Sequence, residues 1–451
     1  MENLPSFLSQ IKNLIAEDEL EQALQLLRQA LASDMPRLND AIHQAGRFKH
    51  LRKQIQLGTV SFDDATLTRN QIRFGLLDFI REIEQEGRTS LPQDLRENLI
   101  SGGNTWSKNL KLVLQKFVAV DSKPDSIYQQ YGWLIAEFLR KMETPVGREL
   151  TLRRLSFMAE AFQSSLRYLC FIQVSQILQQ EQVCRHPLLT EFLEQPANGY
   201  LTFDYWNLLL VTTDLLRERE SFVPEITDTV DELSDTGSDL YGAAVFLQDY
   251  RTKLLDNAIS TSESLPELLE QYLTALVYWL RYLAFLAKYR LVSIKDINLK
   301  YRLGTGKYFV HQYGELHGMY TADENYEYPE YEVEDLFTYN QSVLLFRGSS
   351  VKDCLDHIED ESTFISLSPF VIDQSVFANK VTQTPEIYYF TGYHQRQYHF
   401  AKYKNELVLG GPANKNSNIY LRIKATNLNQ PKYDELFEQL EQVCKPFKTL
   451  S

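Results

Sequence analysis

Hydrophobic positions open the chain in four short stripes. Phe7, Leu8, Ile11, Leu14 and Ile15 recur at steps of three and four residues, which places them on one helical face. Leu20, Ala23, Leu24, Leu27 and Leu31 form a second stripe, and Leu38, Ile42, Ala45, Phe48, Leu51 and Ile55 a third. Ile72, Leu76, Phe79, Ile80 and Ile83 form the fourth. Glu17-Asp18-Glu19 separates the first pair. Asp34-Met35-Pro36 separates the next, because proline lacks the amide hydrogen a helix needs. Gly58 is a natural helix stop, and Ser61-Phe62-Asp63-Asp64 reads as a capping box with Asp64 in the place usual for Glu. Each stripe is too short to hold a helix alone in water, so the four must pack on one another. The pattern predicts a self-contained four-helix bundle over residues 1–86.

Glu86-Gly-Arg-Thr-Ser-Leu-Pro and Ser101-Gly-Gly-Asn104 punctuate the chain next, as a linker over 87–104. From Trp106 the helical pattern resumes with longer elements: Thr151–Gln180, Tyr205–Leu216, Leu240–Leu255 and Leu268–Tyr289. No fixed period repeats, so residues 105–298 read as an irregular α-helical domain and not a solenoid. Past Asp296 the period shortens. Strands are expected at Tyr308–Tyr313, Ser342–Arg347, Thr363–Leu367, Glu386–Phe390, Gln397–Tyr403 and Asn418–Lys424, each rich in aromatic and β-branched residues. The fourth and fifth read as a hairpin, and a helix at Tyr433–Val443 closes the chain. Residues 299–451 are therefore expected to be antiparallel and β-rich, and the whole chain α+β.

Composition narrows the function. A net charge of −14 argues against general nucleic-acid binding, which needs an excess of Lys and Arg to displace counterions. Cys170, Cys184, Cys354 and Cys444 are scattered without a C-x-x-C pair and read as reduced, buried thiols of a cytoplasmic protein. Glu2 and the missing apolar core at the start do not fit a signal peptide. The most apolar run, Tyr272–Ala287, is shorter than a membrane span and contains Arg281, so no membrane association is expected.

Certain residues between Ile11 and Leu77 carry a resemblance. Ile11-Lys-Asn-Leu14-Ile15-Ala16 with Ala23-Leu24 is one part. Leu51, Gly58-Thr-Val-Ser61, Arg69-Asn70-Gln-Ile72 and Leu76-Leu77 form the other. Together they resemble the effector-associated domains of bacterial conflict systems, which are small death-like helical adaptors. The resemblance implies that one copy sits on an effector and a matching copy on a sensor, NTPase or protease, and that the copies bind each other. It covers about the first fifth of the chain. Arg47, Lys49, Arg52 and Lys53 crowd the third helix, while Glu17 and Glu19 open the second. Opposite patches of this kind can steer one copy onto another; the plain alternative is that both are solvated helix faces. Arg69 and Arg73, on the fourth helix, complete the candidate partner surface. The same logic admits self-association.

The middle domain offers a second, weaker resemblance. Tyr250-Arg251-Thr252-Lys253-Leu254-Leu255-Asp256-Asn257 resembles the Arg-Asn-x-x-x-His stretch of HEPN-type domains, many of them RNases. Arg251 matches, but Thr252 replaces Asn and Asp256 replaces His. An aspartate repels phosphate and does not protonate an oxyanion at neutral pH, so such a site would be degenerate. The plain alternative is a surface Arg251 beside a helix-ending Asp256.

Other motifs are sparse. Gly304-Thr-Gly-Lys307 lacks the earlier glycine of a P-loop, which Tyr301 replaces, and runs into a strand. His394, Arg396 and His399, with Tyr393 and Tyr398, form a candidate ligand pocket on the hairpin; an ordinary surface hairpin is the blander reading. Asp323–Asp335, a run of acids and tyrosines, reads as a solvated loop or as a docking strip for a basic partner. Ser366-Leu-Ser-Pro-Phe-Val-Ile-Asp373 has the look of a signature without an attached activity. No metal motif, serine elbow or cysteine–histidine protease context is found, and no cofactor is expected. The expectation is a non-enzymatic adaptor of a bacterial antiviral conflict system. The rivals are an RNase effector with a diverged HEPN-type site and a ligand-sensing β-rich end.

Overall fold

The computed structural model describes residues 11, 14–15, 19–20, 22–24, 26, 45, 48, 72 and 76 of an N-terminal unit, Met1–Leu91. In the second unit, Pro92–Ser451, it describes 106–451 except 121–123, 180–185, 197–198, 260–263, 303–305, 317–327, 335, 339–340, 349, 357–362, 378–384, 395–396, 403–419, 424–430 and 446–451.

In the second unit the helices come first: α1 (Trp106–Leu114), α2 (Pro124–Gln129), α3 (Trp133–Glu143), α4 (Pro145–Arg148), α5 (Leu152–Leu178), α6 (Pro187–Leu193), α7 (Tyr205–Leu216), α8 (Glu225–Ser234), α9 (Asp239–Leu255) and α10 (Leu265–Tyr282). The axis of this region is α5. Its 27 residues are buried on every side from Leu155 to Val174, as a helix enclosed by others must be. Some of its enclosed polar residues are bonded across to neighbouring helices. Gln173 Nε2 donates to Thr213 Oγ1 at 2.7 Å, and Trp279 Nε1 of α10 donates to Ser165 Oγ at 2.7 Å. The Trp279 ring meets Phe162 edge-on at 5.2 Å.

Helix α10 tightens into a 3₁₀ turn, Leu283–Lys288, and runs straight into strand β1 (Tyr289–Arg302). The first strand therefore lies earlier than the change of period expected at Asp296. Strands β2 (Gly306–Glu315), β3 (Glu330–Val333), β4 (Val343–Arg347) and β5 (Phe364–Ser366) complete a five-stranded antiparallel sheet of order β3-β2-β1-β4-β5, with β1 at its centre. Gly306 opens β2, so Lys307 is a strand residue and does not lead into a helix as a P-loop lysine does. Glu330–Val333, expected in a solvated loop, instead pairs with β2 as an edge strand.

Strands β6 (Val371–Asp373), β7 (Ile387–His394), β8 (Gln397–Lys402) and β9 (Tyr420–Ile423) form a second antiparallel sheet in chain order. The expected hairpin is there as β7–β8. Short helices α11 (Val351–Leu355) and α12 (Gln374–Phe377) fill the connections, and α13 (Pro431–Cys444) closes the chain. The closing helix packs on the second sheet: Phe437 meets Tyr398 at 5.5 Å, and Tyr398 Oη donates to Glu441 Oε1 at 2.6 Å. Phe192 of α6 meets Phe370 at 6.2 Å and Phe390 at 5.9 Å, so the sheet also packs on the helical region.

A β-bulge between Ile294 and Asp296 shapes β1. Val292 and Ile294 belong to one apolar cluster with Leu344, Phe346, Val351 and Leu355, and Ile297 packs against it too. The step from 294 to 297 is three instead of two, so the bulge keeps all three on one side and turns Lys295 to the other.

Candidate functional site

In the N-terminal unit, Ile11, Ile15, Leu20, Ala23, Leu24, Ile72 and Leu76 are helical and buried. They come from the first, second and fourth stripes, and most are among the residues that carry the resemblance. Glu19 is exposed and stands just before the second helical segment; its carbonyl accepts the Ala23 amide at 3.1 Å and its carboxylate accepts Gln22 Nε2 at 3.1 Å. It caps that helix while leaving its charge to solvent. Glu17, Arg47, Lys49, Arg52, Lys53, Arg69 and Arg73 lie outside the described residues.

Arg251 is no surface residue. It is 2% exposed on α9, and its Nη2 donates to the Leu201 carbonyl at 2.9 Å. Burial pulls its pKa down; Glu160 works against that and Arg167 adds to it. Glu160 and Arg167, both buried on α5, pair at 3.1 Å, and the Arg167 guanidinium lies over the Tyr389 ring at 4.9 Å. The cluster ties α5, α9 and the second sheet through charge and aromatic faces. Asp256, by contrast, is the exposed C-cap of α9. Arg251 and Asp256 thus face interior and solvent, and do not converge on one substrate position.

On the hairpin, His394 is exposed near the turn, and His399 is buried beside it with Nε2 3.3 Å from the His394 carbonyl oxygen. Register places Gly392, His394, Gln397 and His399 on one face, and exposed Arg422 of β9 lies opposite His399. Burial lowers the His399 pKa, and Arg422 and His394 lower it further. Arg396 lies outside the described residues. Gly392 sits at φ 137°, where a Cβ would meet the Gln195 carbonyl oxygen at 2.3 Å. The face is therefore closed against the helical region at that point.

Sequence reasoning missed the most enclosed charged group in the strands. Asp373 ends the Ser366–Asp373 stretch and is fully buried. Lys295 Nζ pairs with its Oδ2, and Ser293 Oγ donates to the same oxygen at 2.9 Å. Its Oδ1 accepts Ser375 Oγ at 2.7 Å and the Glu386 amide at 3.0 Å. Ser293 and Lys295 belong to the five-stranded sheet and Asp373 to the four-stranded one, so the carboxylate pins sheet to sheet. Gly314, opposite Ser293, leaves room: a Cβ there would meet Tyr328 at 3.0 Å and the Lys295 Cε at 3.1 Å. A buried carboxylate with this many donors is satisfied, and the arrangement is structural. The signal in the sequence was the lone Asp in an apolar stretch.

Cys170 donates to the Tyr205 carbonyl at 3.1 Å, and burial pushes its pKa up, so it is held as a thiol. Cys184 lies outside the described residues. Among the described residues no group of three or more His, Cys, Asp or Glu is placed to hold a metal ion, and no helix is long and apolar enough to cross a membrane.

Comparison with known proteins adds one finding. Residues 6–84 match the family model for effector-associated domain 11. The N-terminal unit thus carries an effector-associated module of the kind found in bacterial conflict systems. No curated protein and no solved structure matches the chain.

Proposed function

We propose that this chain is a non-enzymatic adaptor of a bacterial antiviral conflict system, acting in the cytoplasm. Its N-terminal unit recruits a partner through a matching effector-associated domain. The match over residues 6–84 carries this reading. The buried positions at Ile11, Ile15, Ala23, Leu24, Ile72 and Leu76 support it, because they put the apolar positions of the resemblance into a core, as a folded interaction module requires. The partner is an NTPase, protease or other effector that bears a matching domain.

The test uses the full chain and a full-length variant with Arg47→Glu, Arg52→Glu and Lys53→Glu. Both are immobilised and offered native lysate. The expected result is capture of a protein whose own sequence contains an effector-associated domain, lost in the variant. Capture by both proteins alike, or of nothing bearing such a domain, would sink the proposal.

An RNase reading draws no support from the placement of Arg251 and Asp256. Arg251→Ala is also a poor test of it, because removing a buried guanidinium leaves Glu160 and the Leu201 carbonyl with fewer partners.

A further inference from the structure

One outer edge of the five-stranded sheet is strand β3. Among the described residues, edge strand β3 pairs with β2 on one side only. Tyr313 N donates to the Pro329 carbonyl at 3.1 Å, and antiparallel ladders alternate bonded and non-bonded pairs. With Tyr331 opposite His311 and Val333 opposite Phe309, those two residues turn their backbone groups inward. Glu330 and Glu332 therefore turn theirs outward. The strand is held in place, since Tyr331 Oη donates to Asp356 Oδ1 at 3.0 Å.

Its two faces differ. Tyr331 and Val333 share a face with Leu299, Tyr301 and Phe309, and this face stays open at its far end, where Leu299 is 60% and Tyr301 72% exposed. Glu330 and Glu332 lie on the other face and are exposed, and Glu334 follows, exposed, in the bend after the strand. Lys300, 3.9 Å away, and Gln312 partly occupy Glu330.

We propose that β3 takes up an extended, basic segment of a partner protein as an added antiparallel or parallel strand. Main-chain groups of Glu330 and Glu332 bind its backbone. Its side chains alternate: Lys or Arg on the face of Glu330 and Glu332, and apolar residues beside Tyr331 and Val333. Charge complementarity selects this occupant. The same glutamates disfavour a second copy of β3, which would set like charges against each other. This surface belongs to the second unit, Pro92–Ser451.

The test is fluorescence anisotropy with full-length protein and a labelled short peptide alternating Lys and Val. Saturable binding is expected, weakened by salt. It should be lost when alternate peptide amides are N-methylated, and when Glu replaces Lys. Glu332→Lys should weaken it by about tenfold or more. Glu332→Pro should abolish it, since it removes an outward N–H while the inward bonds of Tyr331 and Val333 remain. Melting temperature tells whether that variant keeps its fold; if it does not, the N-methylated peptide and Glu332→Lys decide. Absence of binding, or binding indifferent to N-methylation, would overturn the proposal. So would equal binding of an isomer with its lysines grouped. A concentration-dependent dimer abolished by Glu332→Pro would put a second copy on the edge and overturn the choice of occupant.

Discussion

The two sheets of the second unit are nearly equal in strand number and unlike in how their faces are covered. The four-stranded sheet is covered: α13 packs on Tyr398, and Phe192 of the helical region packs on Phe370 and Phe390. The five-stranded sheet is packed around Val292, Ile294 and Leu344, but its β1–β2 hairpin runs on past that cluster and exposes Leu299 and Tyr301. Buried aromatic rings stabilise the four-stranded sheet against the helices. The five-stranded sheet leaves apolar area and an acidic edge uncovered, as proteins do at sites of contact. One sheet is spent on stability, and part of the other is left for recognition.

The hardest break falls where the sheets meet. Asp373→Ala leaves Lys295 buried without its counter-charge, and a loss of about 3–5 kcal/mol is expected by urea denaturation. If Lys295→Met added to it restores stability in part, the pair acts as a unit; simple additivity would argue that the two side chains act independently.

Next comes the covered sheet alone. Gly392→Ala brings a Cβ onto the Gln195 carbonyl at a φ that disfavours any side chain, with an expected loss of about 2–3 kcal/mol. A melting temperature unchanged from the parent would mean that the helical region does not press on β7 there.

Acid treats both sheets alike, and one substitution separates them. Burial holds His311 and His399 below the ordinary histidine pKa. The unfolded chain then binds protons that the folded chain does not, so stability is full above about pH 6.5 and falls as the pH drops below it. Glu225 acts lower. Burial pushes its carboxyl up, but hydrogen bonds led by that of Lys288 outweigh this and hold its pKa down, so its contribution fades only as the pH falls below 4.5. His311→Phe, which keeps the stacking on Phe337, should flatten the stability curve between pH 7 and 5. An unchanged slope would assign the acid sensitivity to His399.

The smallest effect belongs to the open end. Leu299→Ser with Tyr301→Ser should change stability by no more than about 0.5 kcal/mol each, because neither side chain is enclosed. A loss several times larger would show that the hairpin face is covered in solution.

Much of this body was legible in the sequence. The spans of α5, α7 and α9 follow the apolar periodicity closely, since long buried helices repeat the signal many times. The β7–β8 hairpin follows from alternating aromatic residues around a polar turn. Strand β1 was hidden for two reasons. No glycine or proline occurs between Pro266 and Gly304 to mark where α10 gives way. The bulge then sets Val292, Ile294 and Ile297 out of strict alternation. Edge strand β3 was masked by its charges, which look like loop composition. Arg251, whose plain alternative was a surface residue, is buried where the Leu201 carbonyl and the charge of Glu160 meet it from distant parts of the chain, and sequence spacing does not report such pairings.

The unpunctuated passage from α10 into β1 bears on inheritance. A recombination crossover near residue 298 would cut the central strand of a sheet, leaving each fragment with half a ladder and an exposed seam. A crossover near Leu91 cuts between two compact units. The helical and strand parts are therefore expected to pass between genomes as one cassette, while the front module can be traded for another and the same body rewired to a new recipient.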